Sequence, residues 1–328
     1  MAVFTEVSPA QAGALVGALG LGTLASLQGI GAGIENTNYF VGTRDAQGHE
    51  QQWVLTLFER LGAEQLPFYL QLMQHLARRG LPVPEPRADG TGNLVHQVAG
   101  KPAALVNRLP GVHQLAPDLH HCAQLGAVLA RMHLAVADFA PQQPNLRGPA
   151  WWQATAPLVL PHLDAGRQAL LRDELAFQQR LADSAALAAL PHGAVHADLF
   201  RDNVMFDGLP GHEKLTGCID FYFAGTDSLA YDLAVCLNDW CLGGRDGLLD
   251  EARAEALVAA YQRVRPLQPA ELRLLPALLR AAALRFWLSR LADWYLPRPA
   301  SLLAPKDPQH FEHVLRERIA APWHPTRD

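Results

Sequence analysis

Within residues 195–221, three polar side chains stand at fixed spacings around two short, mostly apolar strand-like runs. They are Asp198 of His196-Ala197-Asp198, then Asn203 five residues later, then Asp220 between Ile219 and Phe221. Val204-Met205-Phe206 and Leu215 to Ile219 read as two short strands, and Asp207-Gly208-Leu209-Pro210-Gly211 carries the turn signals that join them. A hairpin of that length sets Asn203 and Asp220 at its two outer ends, close together. No other stretch constrains the chain as strongly.

This residue set suits phosphoryl transfer, in which a protein mainly positions the nucleophile and neutralises phosphate charge. Asp198, a carboxylate on a tight loop, fits a catalytic base that accepts a proton from a substrate hydroxyl. Asn203 and Asp220 fit ligands of Mg²⁺, which prefers hard oxygen donors and takes few of them from protein. Each residue alone is an ordinary loop or capping group; the ordered set carries the reading.

The segment resembles the His-Gly-Asp-x-x-x-x-Asn loop of the aminoglycoside phosphotransferase-like kinases, with Ala197 where glycine is usual. Asp227-Ser228-Leu229-Ala230-Tyr231-Asp232-Leu233-Ala234 is similar to the same superfamily. The resemblance implies that His196 and Asp232 support the catalytic loop, Asp232 from a following helix. Read from local sequence, Asp232 is equally a helix N-cap. Longer stretches resemble one branch, the bacterial homoserine kinases: Met1 to Val7, Gly33 to Phe40, Val54 to Glu59, Leu66 to Tyr69, Ile219 to Phe223 and Pro305 to Pro308. The likeness runs from the first residue to about residue 318. It implies ATP and L-homoserine as substrates, O-phospho-L-homoserine and ADP as products, and a place on the route to threonine. The Asp-Asn-Asp spacing alone implies only a phosphotransferase. A kinase of the same fold for choline, a thio-sugar, an amino sugar or an aminoglycoside stays open, as does a nucleotide-binding pseudokinase.

Secondary-structure signals follow an α+β order. Ser8-Pro9-Ala10-Gln11 reads as N-cap, first-turn proline and capping-box glutamine, opening a helix that stops near Gly20. Residues 26–59 alternate strand-like runs with turns at Gly29 to Gly33 and Asp45 to Gly48. Residues 64–79 repeat Leu66, Tyr69, Leu70, Met73 and Leu76 at helical spacing, ending at Gly80. Two more strands flank Ala99-Gly100. After a Pro110-Gly111 hinge, helical patterns cover 117–135, 165–185, 229–241, 252–264 and 270–296. The expectation is a bilobal protein-kinase-like fold: a small β-rich, nucleotide-binding N-lobe over 1–110 and a larger, mainly helical C-lobe over 111–328 with the catalytic loop and substrate site.

ATP is expected near the hinge, with Val106 and Leu109 beside it. The glycine-rich run 29–38 supplies Gly31, Gly33, Asn36 and Asn38 as nucleotide-loop candidates, since glycines let backbone N–H groups approach phosphate. The third strand then departs from the general kinase pattern. Thr56 stands about where a phosphate-pairing lysine is usual, and the next helix has no clear glutamate partner, with Glu64 at its start and Gln74 neutral. The homoserine kinase branch is read as sharing this threonine. Phosphate charge must be met elsewhere, by Arg60, loop N–H groups or Mg²⁺.

A zwitterionic acceptor needs a cation for its carboxylate, and an arginine fork is the natural clamp. Arg280, Arg285, Arg290, Asp293 and Trp294 lie in the 270–296 helix, where Trp287, Arg290 and Trp294 share a face. Arg290 and Asp293, three apart, equally suit a surface pair. Tyr222, just past Asp220, is a further candidate. From residue 272 onward nine Lys or Arg stand against five Asp or Glu, which favours an acceptor bearing a carboxylate over a polycationic one.

Composition excludes several classes. A formal charge of −5 with no basic run argues against a nucleic-acid partner. Apolar runs are too short for a membrane span, and no Lys or Arg precedes Arg44, so a signal peptide lacks its positive region. Cys122, Cys218, Cys236 and Cys241 show no Cys-x-x-Cys spacing and read as buried thiols of a cytoplasmic protein. No Gly-x-x-x-x-Gly-Lys-Ser/Thr occurs, which excludes a P-loop. Oligomeric state is not legible.

Overall fold

In the computed structural model, which describes residues 4–31, 36–244, 247–296 and 305–326, the first helix, α1 (Pro9–Ala18), begins as its sequence predicts. Ser8 Oγ accepts from Gln11 N at 3.3 Å, and Gln11 Oε1 accepts from Ser8 N at 2.9 Å. The strands that follow are β1 (Thr23–Ile30), β2 (Thr37–Arg44) and β3 (Glu50–Leu57). After a 3₁₀ turn at Ala63–Gln65 come α2 (Pro67–Ala77), β4 (His96–Val98) and β5 (Lys101–Asn107). The five strands form one antiparallel sheet in the order β1-β2-β3-β5-β4. β1 runs on through Gly29 and Ile30, paired with Tyr39 and Asn38, so the turn expected from Gly29 starts only at Gly31.

Side chains alternate across this sheet with the period of two that strands impose. Tyr39, Val41, Leu55, Leu57, Ala103 and Leu105 share a core with Ala12, Leu15 and Val16 of α1. Asn38 and Thr56, directly opposed in the β2–β3 register, project the other way, and Thr56 Oγ1 donates to Asn38 Oδ1 at 2.8 Å.

The chain divides into two compact units, Met1–Pro110 and Gly111–Asp328. The second is mainly helical, which makes the fold α+β. It opens with β6 (Val112–His113), α3 (Leu119–Ala135), α4 (Pro149–Val159), α5 (Ala165–Ala182) and the single turn α6 (Ala185–Ala188). Then come β7 (His192–Val195), β8 (Val204–Asp207), β9 (Lys214–Cys218), β10 (Gly225–Ser228), α7 (Leu229–Trp240), α8 (Glu251–Val264), α9 (Pro269–Tyr295) and α10 (Gln309–Ala320). Every residue of α7 is buried, so this helix is the core on which the others pack. α3 lies directly against α8: a Cβ on Gly126 would meet the Leu257 carbonyl oxygen at 2.1 Å, so only glycine allows that approach. The four cysteines are buried and free. Among the described residues, no helix is long and apolar enough to cross a membrane.

Candidate active site

β7 pairs with β10 and delivers the chain into His196-Ala197-Asp198, while β10 runs straight into α7. That connection sets the first turn of α7 under the loop. Asp232 is not the N-cap its sequence also allowed; Ser228 holds that position. Four residues further on, a helical side chain leans back toward the N-terminus. The Asp232 carboxylate accepts from His196 N at 2.9 Å through Oδ2 and from Ala197 N at 2.7 Å through Oδ1. Turning two successive N–H groups to one carboxylate puts Ala197 in the left-handed region, at φ 61°. A residue with a Cβ pays roughly 1–2 kcal/mol there, which explains why glycine is usual at this position and why the carboxylate must hold the turn.

Burial alone would raise the Asp232 pKa, but hydrogen bonding and charge from His133, with His196, hold it below the usual carboxylate value. The His133 contact belongs to a buried chain. Arg265, paired with Glu271 at 3.0 Å, donates to the Tyr261 hydroxyl at 3.0 Å. That hydroxyl lies 2.7 Å from His133 Nδ1, and His133 Nε2 lies 3.1 Å from Asp232 Oδ2. Because Tyr261 accepts from Arg265, its own proton goes to His133 Nδ1, so Nε2 is the nitrogen that donates to Asp232.

Seven residues along the same face of α7, Asp239 holds the far side of the loop. It accepts from Arg201 N at 2.8 Å and pairs with the Arg201 guanidinium at 3.1 and 3.2 Å. Trp240 Nε1 donates to the Leu199 carbonyl between them at 3.0 Å. One buried helix thus grips the loop at both ends.

His196 is the cross-brace. Its Nε2 donates to Ile219 O at 2.9 Å, so Nδ1 is free to accept from Asp198 N at 3.2 Å. Burial lowers its pKa, in keeping with that neutral tautomer. The hairpin is built as the spacing implied: Val204 opposes Cys218, and Ile219 N donates to Asn203 O at 2.9 Å. Asn203 and Asp220 therefore leave the paired end of the hairpin together. Asp220 is exposed and also left-handed, at φ 64°.

Asn203 Nδ2 donates to the Asp198 carbonyl at 2.7 Å and lies 3.4 Å from Asp198 Oδ2. Its amide oxygen is thereby left for another ligand. The Asp198 carboxyl is pushed up to about 7, chiefly by burial, with Asp220 and Asp202 adding and Arg285 and Lys306 opposing. Arg285 Nη1 lies 3.5 Å from Asp198 Oδ1, with its guanidinium over the Phe286 ring at 3.7 Å and near Phe223 at 5.0 Å.

Other sequence candidates lie apart from this cluster. Arg280 is committed to Glu174 and to the Phe177 ring. Arg290 donates to Asp307 O at 3.0 Å and covers Phe311; among the described residues no ion pair joins it to Asp293. Asp293 is exposed. The face shared by Trp287, Arg290 and Trp294 is not one surface. Trp287 is 0 % exposed while Trp294, where α9 runs out into solvent, is 47 % exposed. Trp294 lines a surface recess with Arg167, Tyr295 and Glu312. Tyr222 follows Asp220 and is half-buried.

In the first unit, Gly31 ends β1 at a bend, and Gly33 lies outside the described residues. Asn36 precedes β2 and its carbonyl lies 3.5 Å from Asn38 Nδ2. Val106 is buried on β5 opposite Val54, and Leu109 is half-buried just beyond. No lysine stands at Thr56; the sequence has only Lys101, Lys214 and Lys306, and Lys101 pairs with Glu59 at 3.1 Å.

Hard oxygen donors from one amide and one exposed carboxylate, beside a second carboxylate, fit a divalent cation that keeps most of its ligands from water and phosphate. Among the described residues no group of three or more His, Cys, Asp or Glu is arranged to hold a metal alone. His133, Tyr261, Arg265 and Asp239 were not legible as site residues. The one signal was a polar residue inside an apolar helical run, as at Met132-His133-Leu134.

The chain is similar to known proteins along nearly its whole length. The profile described as "Phosphotransferase enzyme family" matches residues 26–267. A homoserine kinase of Polaromonas naphthalenivorans is 57 % identical over 323 residues, covering 98 % of this chain and 99 % of that one. A homoserine kinase of Cupriavidus pinatubonensis is 52 % identical over 320 residues, covering 98 % and 97 %. Among solved structures, an amicoumacin kinase superposes with a TM-score of 0.65 at 17 % identity, covering 93 % of this chain and 91 % of that one. A Plasmodium vivax ethanolamine kinase gives 0.58 at 12 % identity, covering 90 % of this chain and 82 % of that one. At such identities these structures speak for the fold alone.

Proposed function

The chain belongs to the phosphotransferase enzyme family and, within it, to the homoserine kinases; from that premise we propose that it transfers the γ-phosphoryl group of ATP to the side-chain hydroxyl of L-homoserine. The products are O-phospho-L-homoserine and ADP, and the step lies on the route to threonine. One observation carries the chemistry: a half-buried carboxylate, Asp198, sits between the Asn203 amide and the Arg285 guanidinium. Those neighbours suit an acceptor with a hydroxyl at one end and an anionic group at the other.

Asp198 accepts the hydroxyl proton as the oxygen attacks phosphorus, and a carboxyl near neutrality is well matched to that task. Arg285 supplies the cation for the acceptor's carboxylate. Asn203 and Asp220 hold Mg²⁺, which when bound neutralises charge on the phosphate oxygens. The first unit takes the nucleotide, with Gly31, Gly33, Asn36 and Asn38 at the phosphates and Val106 and Leu109 at the base. With Thr56 in place of a lysine, phosphate charge falls to the metal and to backbone N–H groups. His196 and Asp232 hold the catalytic loop. Asp293 and Trp294, exposed at the end of α9, have no part in this scheme. Four buried thiols suit a reducing compartment such as the cytoplasm.

A coupled ADP-release assay with Mg·ATP tests the acceptor. L-Homoserine should support turnover well above L-serine, choline, a thio-sugar or an aminoglycoside; turnover with one of the others alone would discard the homoserine reading. Asp220→Ala tests the metal site. It should raise the Mg²⁺ concentration needed for half-maximal rate by about tenfold or more and weaken Mg·ATP binding. An unchanged Mg²⁺ dependence would remove Asp220 as a ligand.

A further inference from the structure

Glu271, Arg265, Tyr261, His133 and Asp232 form one hydrogen-bonded run through the core of the second unit, and all five are buried. They come from α9, the residue that closes α8, α8 itself, α3 and α7. Glu271 Oε2 accepts from Gln268 N at 2.9 Å at the start of α9, and Oε1 accepts from Arg265 Nη1 at 3.0 Å. The close approach of α3 and α8 at Gly126 lets a side chain of each meet, His133 Nδ1 standing 2.7 Å from the Tyr261 hydroxyl. The run ends at Asp232, whose carboxylate holds His196 N and Ala197 N just ahead of Asp198. α9 therefore reaches the catalytic loop twice: from Glu271 through the run, and from Arg285 directly, at 3.5 Å to Asp198 Oδ1.

A buried ion pair seldom stabilises a core more than well-packed apolar side chains of the same volume. The value of this run lies in what it orients. Its hydrogen bonds have one direction. Arg265 has only donors, so the Tyr261 oxygen accepts and the phenol proton goes to His133 Nδ1. Burial pushes the Tyr261 pKa up, so the phenol keeps that proton. The bond at one ring nitrogen of a histidine sets the role of the other, which leaves Nε2–H to donate to Asp232 at 3.1 Å. Reversing the run would turn the phenol proton against an Arg265 N–H.

We infer that Tyr261 and Arg265 are positioning residues for phosphoryl transfer: anchored by Glu271, they orient the His133 imidazole so that its Nε2–H fixes the Asp232 carboxylate under the loop, and with it the turn that aims Asp198. Both act through Asp232. Without the Tyr261 donor the ring turns and Nε2–H leaves Asp232, which then has only the two loop N–H groups to hold it. Ala197, at φ 61°, is the residue least able to keep its place without that hold. The run also ties the position of Asp198 to α9, the helix that carries Arg285. This inference rests on the reading of Asp198 as the base.

The test joins nitrogen-15 NMR of the wild-type histidine rings to steady-state kinetics of Tyr261→Phe, His133→Leu and the double variant, with L-homoserine and Mg·ATP. At neutral pH the His133 ring should carry its proton on Nε2 and none on Nδ1; a proton on Nδ1 would reverse the run and overturn the inference. Tyr261→Phe should lower kcat by about tenfold, the order expected when a histidine loses the group that orients it. The KM values for both substrates should stay near wild type. Because Tyr261 acts through His133, adding Tyr261→Phe to His133→Leu should cost little more in kcat. Rates are taken well below each unfolding midpoint, so loss of folded protein does not enter. Should His133→Leu not fold, the ring spectrum and Tyr261→Phe decide the matter. A normal kcat in Tyr261→Phe with only a lower unfolding midpoint would make the run purely structural and overturn the inference. Equal losses on both His133 backgrounds would do the same. Near-normal turnover in Asp198→Asn is the separate failure: it would remove the base, and this inference with it, whatever Tyr261→Phe does.

Discussion

Replacing Asp198 by Asn is expected to lower kcat by about 10²–10⁴-fold, the usual worth of a positioned general base, with Mg·ATP binding nearly intact. The substitution keeps the size of the side chain and its place beside Asn203. It removes the negative charge facing Arg285 and with it the ability to take a proton. Steady-state kinetics, with nucleotide binding measured separately, check this; near-normal turnover would remove Asp198 as the base. The same variant has a stability signature. In the free protein the Asp198 pKa of about 7 stands above its ordinary 3.8, mainly through burial. The folded state therefore binds more protons than the unfolded state between those values, and the wild type loses stability as pH rises through that window. The Asn variant has no such loss. Without metal or nucleotide it should be more stable than wild type at about pH 8, with the advantage vanishing below about pH 4. Thermal unfolding at the two pH values measures this.

Asp232→Asn is expected to destabilise the protein by about 3 kcal/mol and to depress kcat with it. The carboxylate accepts two backbone N–H groups and the His133 imidazole, and its surroundings are fully buried. An amide there turns one acceptor into a donor facing another donor. Ala197 then has nothing to hold it at positive φ, and Asp198 follows it. The sign with pH is opposite to that of Asp198. The folded Asp232 pKa lies below 3.8, so its contribution is complete near neutrality and is lost only as pH falls below that value. Urea unfolding at pH 7 should show the full difference between wild type and variant. A variant as stable as wild type at pH 7 would contradict the role given to this carboxylate.

Local patterns made much of the fold legible. The capping box at Ser8, the hairpin from Val204 to Cys218 and the helices α3, α5, α7, α8 and α9 all follow from caps, turn residues and apolar spacing within a few residues of where they form. α4 escaped for an equally local reason: Pro157 lies inside its 11 residues and reads as a breaker, whereas α9 runs for 27 residues and keeps its pattern around Pro276. The order Asp198, Asn203, Asp220 could be read because the hairpin that gathers them is short. Asp232 entered through the family resemblance alone, and its own partners could not be read, since His133 lies 99 residues from Asp232 and 128 from Tyr261. Periodicity could not choose among the arginines of α9 either. Arg280, Arg285 and Arg290 face a glutamate, the Asp198 carboxylate and a backbone carbonyl respectively, and only packing decides which goes where.

Phosphorus NMR of the reaction product tests the central claim most directly. With Mg·ATP and L-homoserine, the wild-type protein should produce the phosphomonoester signal of O-phospho-L-homoserine in step with ADP, and Asp198→Asn should not. ADP without that phosphoester, or equal product from the Asn variant, would contradict the account.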